Sequence, residues 1–387
     1  MKDSLRNHAL IKSINRAQIL NTIRLNSPIA RAQVADKTGL DRKSLTNFVN
    51  EFIAEGLIEE IGTAQQGGMG RPFTMLEFKK HLVMGLEITS GSVGGVMMDL
   101  HGKVHFSHRI KDESINTKPD KMLNAVKNVY QRLKASAGEI YQGVGVSVQG
   151  VVDPEKGIVL EAFNIPSVVL DLKSALGKFI SEPVQIETSS MVGALAEKWF
   201  GMGSSSDEFI YVELGMGIGA GIISRRRLYR GTGMHAGELG HTVVERGGVQ
   251  CRCGSRGCLE AYASEGKILE EFQRINSLKI GSLEELAELP GEKTEKILDD
   301  VGTKIGWGVG NLINLFNPKL IILGGRMVDV FGNVLLPAVS KGAATSSLKV
   351  CMKDVSIVAS KISDQVVCGA AALVLSKRFE VEDFYYI

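Results

Sequence analysis

The chain has 387 residues, 44% of them hydrophobic and 23% charged, with a formal net charge of +2 and five cysteines. That is too long for one ordinary core, so two or three domains are expected, and the composition is that of a globular protein rather than a disordered or fibrous one. No apolar run reaches the roughly 18–20 residues that span a bilayer, and no signal-peptide-like segment follows Met1-Lys-Asp-Ser-Leu-Arg6. A cytoplasmic protein with no membrane partner is therefore expected, its cysteines serving as metal ligands or buried thiols.

Charge is distributed unevenly. Residues 1–50 hold nine Lys/Arg and three acids, a net +6, and a basic end on a mildly acidic body points to one nucleic-acid-facing module. Arg16 to Leu25 carries a helical stripe of Ala17, Ile19, Leu20 and Ile23, which Ser27-Pro28 breaks. Arg31 to Thr38 forms a short second helix, although Ala30 stands where a Ser or Thr cap would be better. Gly39 allows the left-handed turn of a helix-turn-helix, and Asp41 caps a third helix. There Leu45, Phe48, Val49, Phe52 and Ile53 form a buried face. The opposite face, Arg42, Lys43, Ser44, Thr46, Asn47 and Asn50, suits base edges and phosphates. Two short strands around the Gly62–Gly70 tip complete a wing, and Arg71, held by Pro72, suits a minor groove or a phosphate. A winged helix-turn-helix over residues 1–78 is predicted, with operator DNA as its partner.

From His81 the pattern is α/β. Strands are predicted over Leu82–Ile88, Gly91–Asp99 and Lys103–Ile110, then a helix over Pro119–Ala137 and a buried strand over Gly143–Val148. A strand, Gly-rich hairpin and strand start again over Glu208–Ser224. Two copies of one unit imply a two-lobed actin-like (ribonuclease-H-like) body with a cleft between the lobes. The first lobe is expected over 79–185, joined by a C-terminal helix at 365–380. The second, over 186–364, is expected to carry the dimerisation surface. A helix over Trp307–Phe316, a strand over Leu320–Leu323 and an Ala-rich helix over Cys368–Lys377 close the chain.

Within the second lobe, Cys251, Cys253 and Cys258 form a C-x-C-x4-C array ten residues after His241. Three thiolates and one imidazole are the ligand set of a closed, structural zinc site. Glu238 and Glu260 flank it, two carboxylates that a metal-fixed loop can aim at a small polar ligand. Cys351 and Cys368 lie in apolar surroundings and are read as core. His235 is read as cleft rim and Arg225-Arg226-Arg227 as a solvated turn.

The motifs Ala236-Gly-Glu-Leu-Gly-His241, Cys251-x-Cys253-Gly-x-x-Gly-Cys258-Leu-Glu260, Leu315-Phe-Asn-Pro318 and Ile322-Leu-Gly-Gly325 resemble the ROK family (repressor, open reading frame, kinase). Arg16-x-x-Ile-Leu20, Gly39-Leu40 and Gly70-Arg71-Pro72 resemble the winged-helix extension of its repressor branch, of the xylose- and N-acetylglucosamine-responsive type. The resemblance covers essentially the whole chain. It implies a sugar cleft in which Asn164, Glu238, His241 and Glu260 bind hydroxyls, with His241 serving zinc through one ring nitrogen and sugar through the other.

The same resemblance bears on catalysis. Kinases of the family open with Asp-x-Gly-Gly-Thr-Lys, whose glycines let backbone N–H groups reach ATP phosphates; here the stretch is Glu87-Ile-Thr-Ser-Gly-Ser92. Their second phosphate turn, Gly-Thr-Gly, is Gly215-Met-Gly217, and their general-base Asp and preceding Asn fall on Ser189 and Thr188. A serine is no base near neutral pH without an activator. The expectation is a catalytically inactive relative with no ATP requirement: a sugar-responsive repressor of carbohydrate-utilisation genes. It should bind a pseudo-palindromic operator as a homodimer or dimer of dimers, with a sugar or sugar phosphate as effector. The rival is a ROK-type sugar kinase with an added DNA-binding domain.

Overall fold

The computed structural model describes residues 2–64, 73–79, 81–137, 143–162, 170–289 and 291–379. The chain opens with α1 (Lys2–Asn26), which begins well before the Arg16–Leu25 stripe; Ile19, Leu20 and Ile23 form its buried face. β1 (Ile29–Ala30), α2 (Arg31–Thr38), α3 (Arg42–Ala54), β2 (Ile58–Ala64) and β3 (Phe73–Phe78) follow. Gly39 closes α2 at φ 70°, and the Asp41 carboxylate accepts the N–H groups of Lys43 and Ser44 at 3.0 and 2.9 Å, capping α3. Ala30 lacks a capping side chain, but Gln33 Oε1 accepts the Ala30 N–H at 3.1 Å, which is half of a capping box. The wing has three strands, ordered β1-β3-β2, because Ile29 and Ala30 pair with Leu76 and Met75.

The body repeats one sheet. Its first half holds β4 (Leu82–Thr89), β5 (Ser92–Asp99), β6 (Val104–Lys111), α4 (Pro119–Ala137) and β7 (Val144–Val148). A small sheet of β8 (Val151–Asp153), β9 (Ile158–Glu161) and β10 (Leu170–Asp171) leads into α5 (Leu172–Leu176) and β11 (Val184–Thr188). The main sheet is ordered β6-β5-β4-β7-β11. β11 crosses position 185, where the sequence reading divides the lobes: Val184–Thr188 pairs residue for residue with Val144–Val148.

After α6 (Ser189–Phe200) come β12 (Phe209–Leu214), β13 (Ile218–Ser224) and β14 (Arg227–Tyr229), then α7 (Glu260–Ala263), α8 (Glu265–Asn276), α9 (Leu283–Ala287) and α10 (Glu292–Phe316). The chain continues through β15 (Leu320–Gly324), α11 (Arg326–Ser346), α12 (Lys349–Met352), β16 (Ser356–Ala359) and α13 (Gln365–Phe379). The second sheet, ordered β14-β13-β12-β15-β16, has the pattern of the first: an antiparallel meander of three, then two parallel strands. The helix foreseen at Trp307–Phe316 is the second half of α10.

α6 and α13 lie side by side between the sheets, α6 against β12 and β13, α13 against β4 and β7. Glycine permits this approach. A side chain at Gly145 would run into the Ala370 carbonyl, and one at Gly369 into the Val192 carbonyl. The winged helix does not hang from a linker. Its core residues Ile19, Leu20, Ile23, Phe52 and Leu76 belong to one buried cluster with Trp199 of α6 and Val374 and Phe379 of α13. Asn21 Nδ2 also donates to the Phe379 carbonyl at 3.0 Å.

Candidate functional site

The cysteine loop after β14 brings the four expected ligands together. His241 Nδ1 lies 3.7 Å from Cys251 Sγ, Cys253 Sγ lies 3.8 Å from Cys258 Sγ, and all four donor atoms fall within 4.8 Å of one another. Disulfide sulfurs stand about 2.05 Å apart. A tetrahedron of thiolates about 2.3 Å from a metal has edges of about 3.8 Å, which is the spacing found. The loop is therefore a geometrically competent metal site. Cys251 and Cys258 are buried and Cys253 partly so. Among the other thiols, Cys368 is core, as read from the sequence, whereas Cys351 is only partly buried.

With Nδ1 turned to the cysteines, His241 presents Nε2 to the cleft, 4.0 Å from Glu260 Oε1. Glu260, at the start of α7, is buried and held at both oxygens. Arg252 Nε donates to Oε1 at 2.8 Å and the Ile218 N–H to Oε2 at 3.0 Å. Glu238 stands exposed on the same wall. Together with Gln149, Thr188, Ser189, Glu213 and Arg252, these three side chains line one cavity between the lobes. Three of the four expected sugar residues therefore converge. Asn164 lies outside the described residues.

A second cavity adjoins the first, with Gln149 and Glu213 in both linings. It covers the Glu87–Ser92 turn and holds six carboxylates, among them Glu87, Glu265, Asp329 and Asp364, against Arg109, Lys111 and Arg326. Arg109 crosses the turn, with Nη1 2.9 Å from Glu87 Oε2 and Nη2 3.3 Å from Asp364 Oδ1. Its guanidinium fills the space that a side chain at Gly94 would need. Burial raises the Glu87 and Asp329 carboxyls above their ordinary range.

On the winged helix, Arg42, Lys43, Thr46 and Asn47 are exposed along one side of α3 and Ser44 is half-exposed, opposite buried Leu45, Phe48, Val49 and Phe52. Thr46 donates to the Arg42 carbonyl at 2.8 Å, leaving its lone pairs outward. The Arg31 guanidinium is tied to Glu60 of the wing at 2.6 Å. Arg71 lies outside the described residues.

The ROK family profile matches residues 83–377, and a profile described as winged helix-turn-helix DNA-binding matches residues 13–59. The chain belongs to the ROK family. It is 32% identical over 330 residues to the xylose repressor of Bacillus spizizenii, covering 84% of this chain and 85% of that protein. Among solved structures it superposes on a ROK family transcriptional regulator, a homologue of the E. coli MLC protein, with a TM-score of 0.81 and 25% identity. That match covers 96% of this chain and 97% of the other. A ROK family glucokinase from Streptomyces griseus in complex with glucose and AMPPNP superposes with a TM-score of 0.69 and 25% identity; it covers 76% of this chain and 98% of its own.

Against the ROK motifs, two residues of the cleft escaped the sequence reading. Arg252 sits between two metal ligands, where the motif spacing assigns it no role, yet it holds Glu260. Glu213 is the one charged residue in apolar β12, one position before its end, and reaches the cleft there. The Arg225-Arg226-Arg227 triplet is the β13–β14 turn, with φ of 50° and 62° at Arg225 and Arg226, and Arg226 pairs with Asp207 at 3.2 Å. His235 is exposed. Among the described residues no helix is long and apolar enough to cross a membrane.

Proposed function

We propose that this protein is a sugar-responsive, DNA-binding repressor of carbohydrate-utilisation genes and transfers no phosphate. The observation that carries this reading is the joining of a ROK cleft, with Ser189 at the position of the general base, to a winged helix through one continuous core. The name of the Bacillus relative, xylose repressor, agrees with it.

In this reading Glu238, His241 and Glu260, together with Asn164, offer acceptors and donors to vicinal hydroxyls. Zinc, held by His241, Cys251, Cys253 and Cys258, supplies rigidity rather than chemistry, because four protein ligands leave no open position. The carboxylate-lined second cavity, crossed by Arg109, is a poor seat for a nucleoside triphosphate, since like charges repel. Arg42, Lys43, Ser44, Thr46 and Asn47, with Arg71, meet the operator in the cytoplasm. A homodimer, or a dimer of dimers, sets two recognition helices on the half-sites of a pseudo-palindrome. Leu315, Leu348 and Val350, widely exposed on the second lobe, suit that interface.

The test is fluorescence anisotropy with DNA from the gene's own upstream region, titrated with a sugar panel, beside an ATP phosphotransfer assay on the same panel. Operator binding relieved or tightened by one sugar, with no phosphotransfer, is the expected result. Turnover above background would make the protein a kinase with an added DNA module.

A further inference from the structure

We propose that Glu213 binds the sugar hydroxyl that a ROK kinase would phosphorylate, and that its carboxylate restricts the effector to unphosphorylated sugars. The proposal rests on the sugar reading above and deepens it.

Glu213 lies at the end of β12, where its register partners, Gly219 on β13 and Gly324 on β15, carry no side chains to crowd it. Its carboxylate accepts the Ser189 hydroxyl at the N-terminus of α6. Ser189 is the position at which a kinase of the family carries its base. A carboxylate missing from α6 is thus supplied from β12 at the same end of the cleft, but with Thr89 and Ser90 in place of the phosphate-cradling glycines it is left to bind a hydroxyl rather than to drive transfer. Glu213 also lines both cavities, so it stands at the passage between the sugar wall and the Glu87–Ser92 turn.

Charge decides what can occupy that passage. Glu87 lies on the far side of Glu213, and burial together with Glu87 pushes the Glu213 carboxyl up to about 7. Three guanidiniums line the cavities and each is engaged with carboxylates: Arg252 with Glu260, Arg109 with Glu87 and Asp364, and Arg326 with Glu265 and Glu284. A sugar hydroxyl both donates and accepts, so it bonds Glu213 in either protonation state. A terminal phosphate dianion meets like charge unless Glu213 keeps its proton, and like charges placed together disfavour binding strongly.

Calorimetric titration of the full-length, metal-loaded protein at pH 8 tests this. The ligands are D-glucose, D-mannose and N-acetyl-D-glucosamine, each beside its 6-phosphate ester. At least one neutral sugar should bind, with its ester weaker by about 100-fold or more. Glu213→Gln, near in size and shape, should weaken the neutral sugar about tenfold and narrow the gap to its ester to less than about tenfold. A phosphate ester that binds the unmodified protein as tightly as the parent sugar overturns the proposal, even if the variant does not fold. So does a folded Glu213→Gln protein with unchanged affinities. If none of the six ligands binds, the sugar reading itself fails and takes this one with it; if sugars bind without discrimination, only the role of Glu213 is lost.

Discussion

The guanidinium of Arg24, near the end of α1, lies over the indole of Trp199, near the end of α6, 4.6 Å from the ring centroid. Arg24 is buried, and burial, with Arg226 nearby, lowers its pKa to about 10, so it stays charged at neutral pH. Trp199 Nε1 donates to Ser376 Oγ of α13 at 2.8 Å. The other end of α6 is Ser189, in the lining of the first cavity. One rigid helix of 12 residues, about 18 Å long, therefore touches both the cleft and the winged helix, and any shift of α6 on sugar binding is felt at α1.

Arg24→Met tests this linkage because it keeps the apolar stem and removes the cation. Loss of a desolvated cation–π contact costs about 2 kcal/mol or more, a part of the roughly 5–15 kcal/mol by which a native fold is stable, so the fold should persist. Sugar affinity of the isolated protein should change by less than about threefold, while the sugar-induced change in operator affinity should fall several-fold, because coupling is a free energy shared between two sites. Anisotropy titrations with and without sugar measure both quantities. An unaltered response would place the coupling outside this contact.

Metal removal should act on the cleft before it acts on the DNA face. Elemental analysis should find one zinc per chain. A chelator, or Cys258→Ser, should lower the melting temperature and abolish sugar binding, because His241 and the Glu260-bearing start of α7 are fixed by the same loop. A chelated protein that still binds sugar with full affinity would separate the metal from the cleft.

How far the sequence reveals this arrangement depends on the range of the interaction concerned. The winged helix is readable because its signals are local: the Leu45–Phe52 stripe, the Asp41 cap and the Gly39 turn lie within one turn of what they organise. Cys251, Cys253 and Cys258 are equally plain, since one tight loop sets the ligand spacing. β1 is invisible in isolation, being two residues whose strand character comes from Leu76 and Met75, nearly fifty positions away. Arg109 across the Glu87 turn, Arg252 on Glu260 and Ser189 on Glu213 are side-chain meetings that no period encodes. The first half of α10 escaped for another reason: its opening turn, Glu292-Lys-Thr-Glu295, is polar, although Ile297, Leu298, Val301 and Ile305 do repeat at helical spacing.

DNA binding should be steeply salt-dependent. If Lys43 on the exposed face of α3 neutralises one phosphate, Lys43→Ala lowers the magnitude of the log affinity against log salt slope by about one unit. Because Lys43 points away from the buried face, its removal should leave the melting temperature unchanged. A slope equal to that of the unmodified protein would place Lys43 off the DNA.

Glu213 makes the stability of the body depend on pH. It faces the Ser189 hydroxyl on α6 and the Glu87 carboxylate on β4, with Tyr211 two residues before it on its own strand. Glu238, Glu260, His241 and Arg252 face it across one cavity, and Arg109, Lys111, Glu265, Asp329 and Arg326 across the other. Its carboxyl is raised to about 7 in the fold, so the folded state holds the proton that the unfolded chain releases near its ordinary value of about 4.3. The resulting stability is fully present below that ordinary value and is lost as pH rises to about 7. Full linkage for such a shift is roughly 4 kcal/mol, and the partial exposure of the carboxylate to the cleft reduces the expected effect to about 1–2 kcal/mol. Glu213→Gln keeps the hydrogen-bonding shape without the proton. In urea unfolding of the metal-loaded proteins, the unmodified protein should lose about 1 kcal/mol relative to the variant between pH 5.5 and pH 8. Parallel pH profiles would mean that Glu213 is already ionised throughout, and that Ser189 and the surrounding cleft solvate it better than its burial implies.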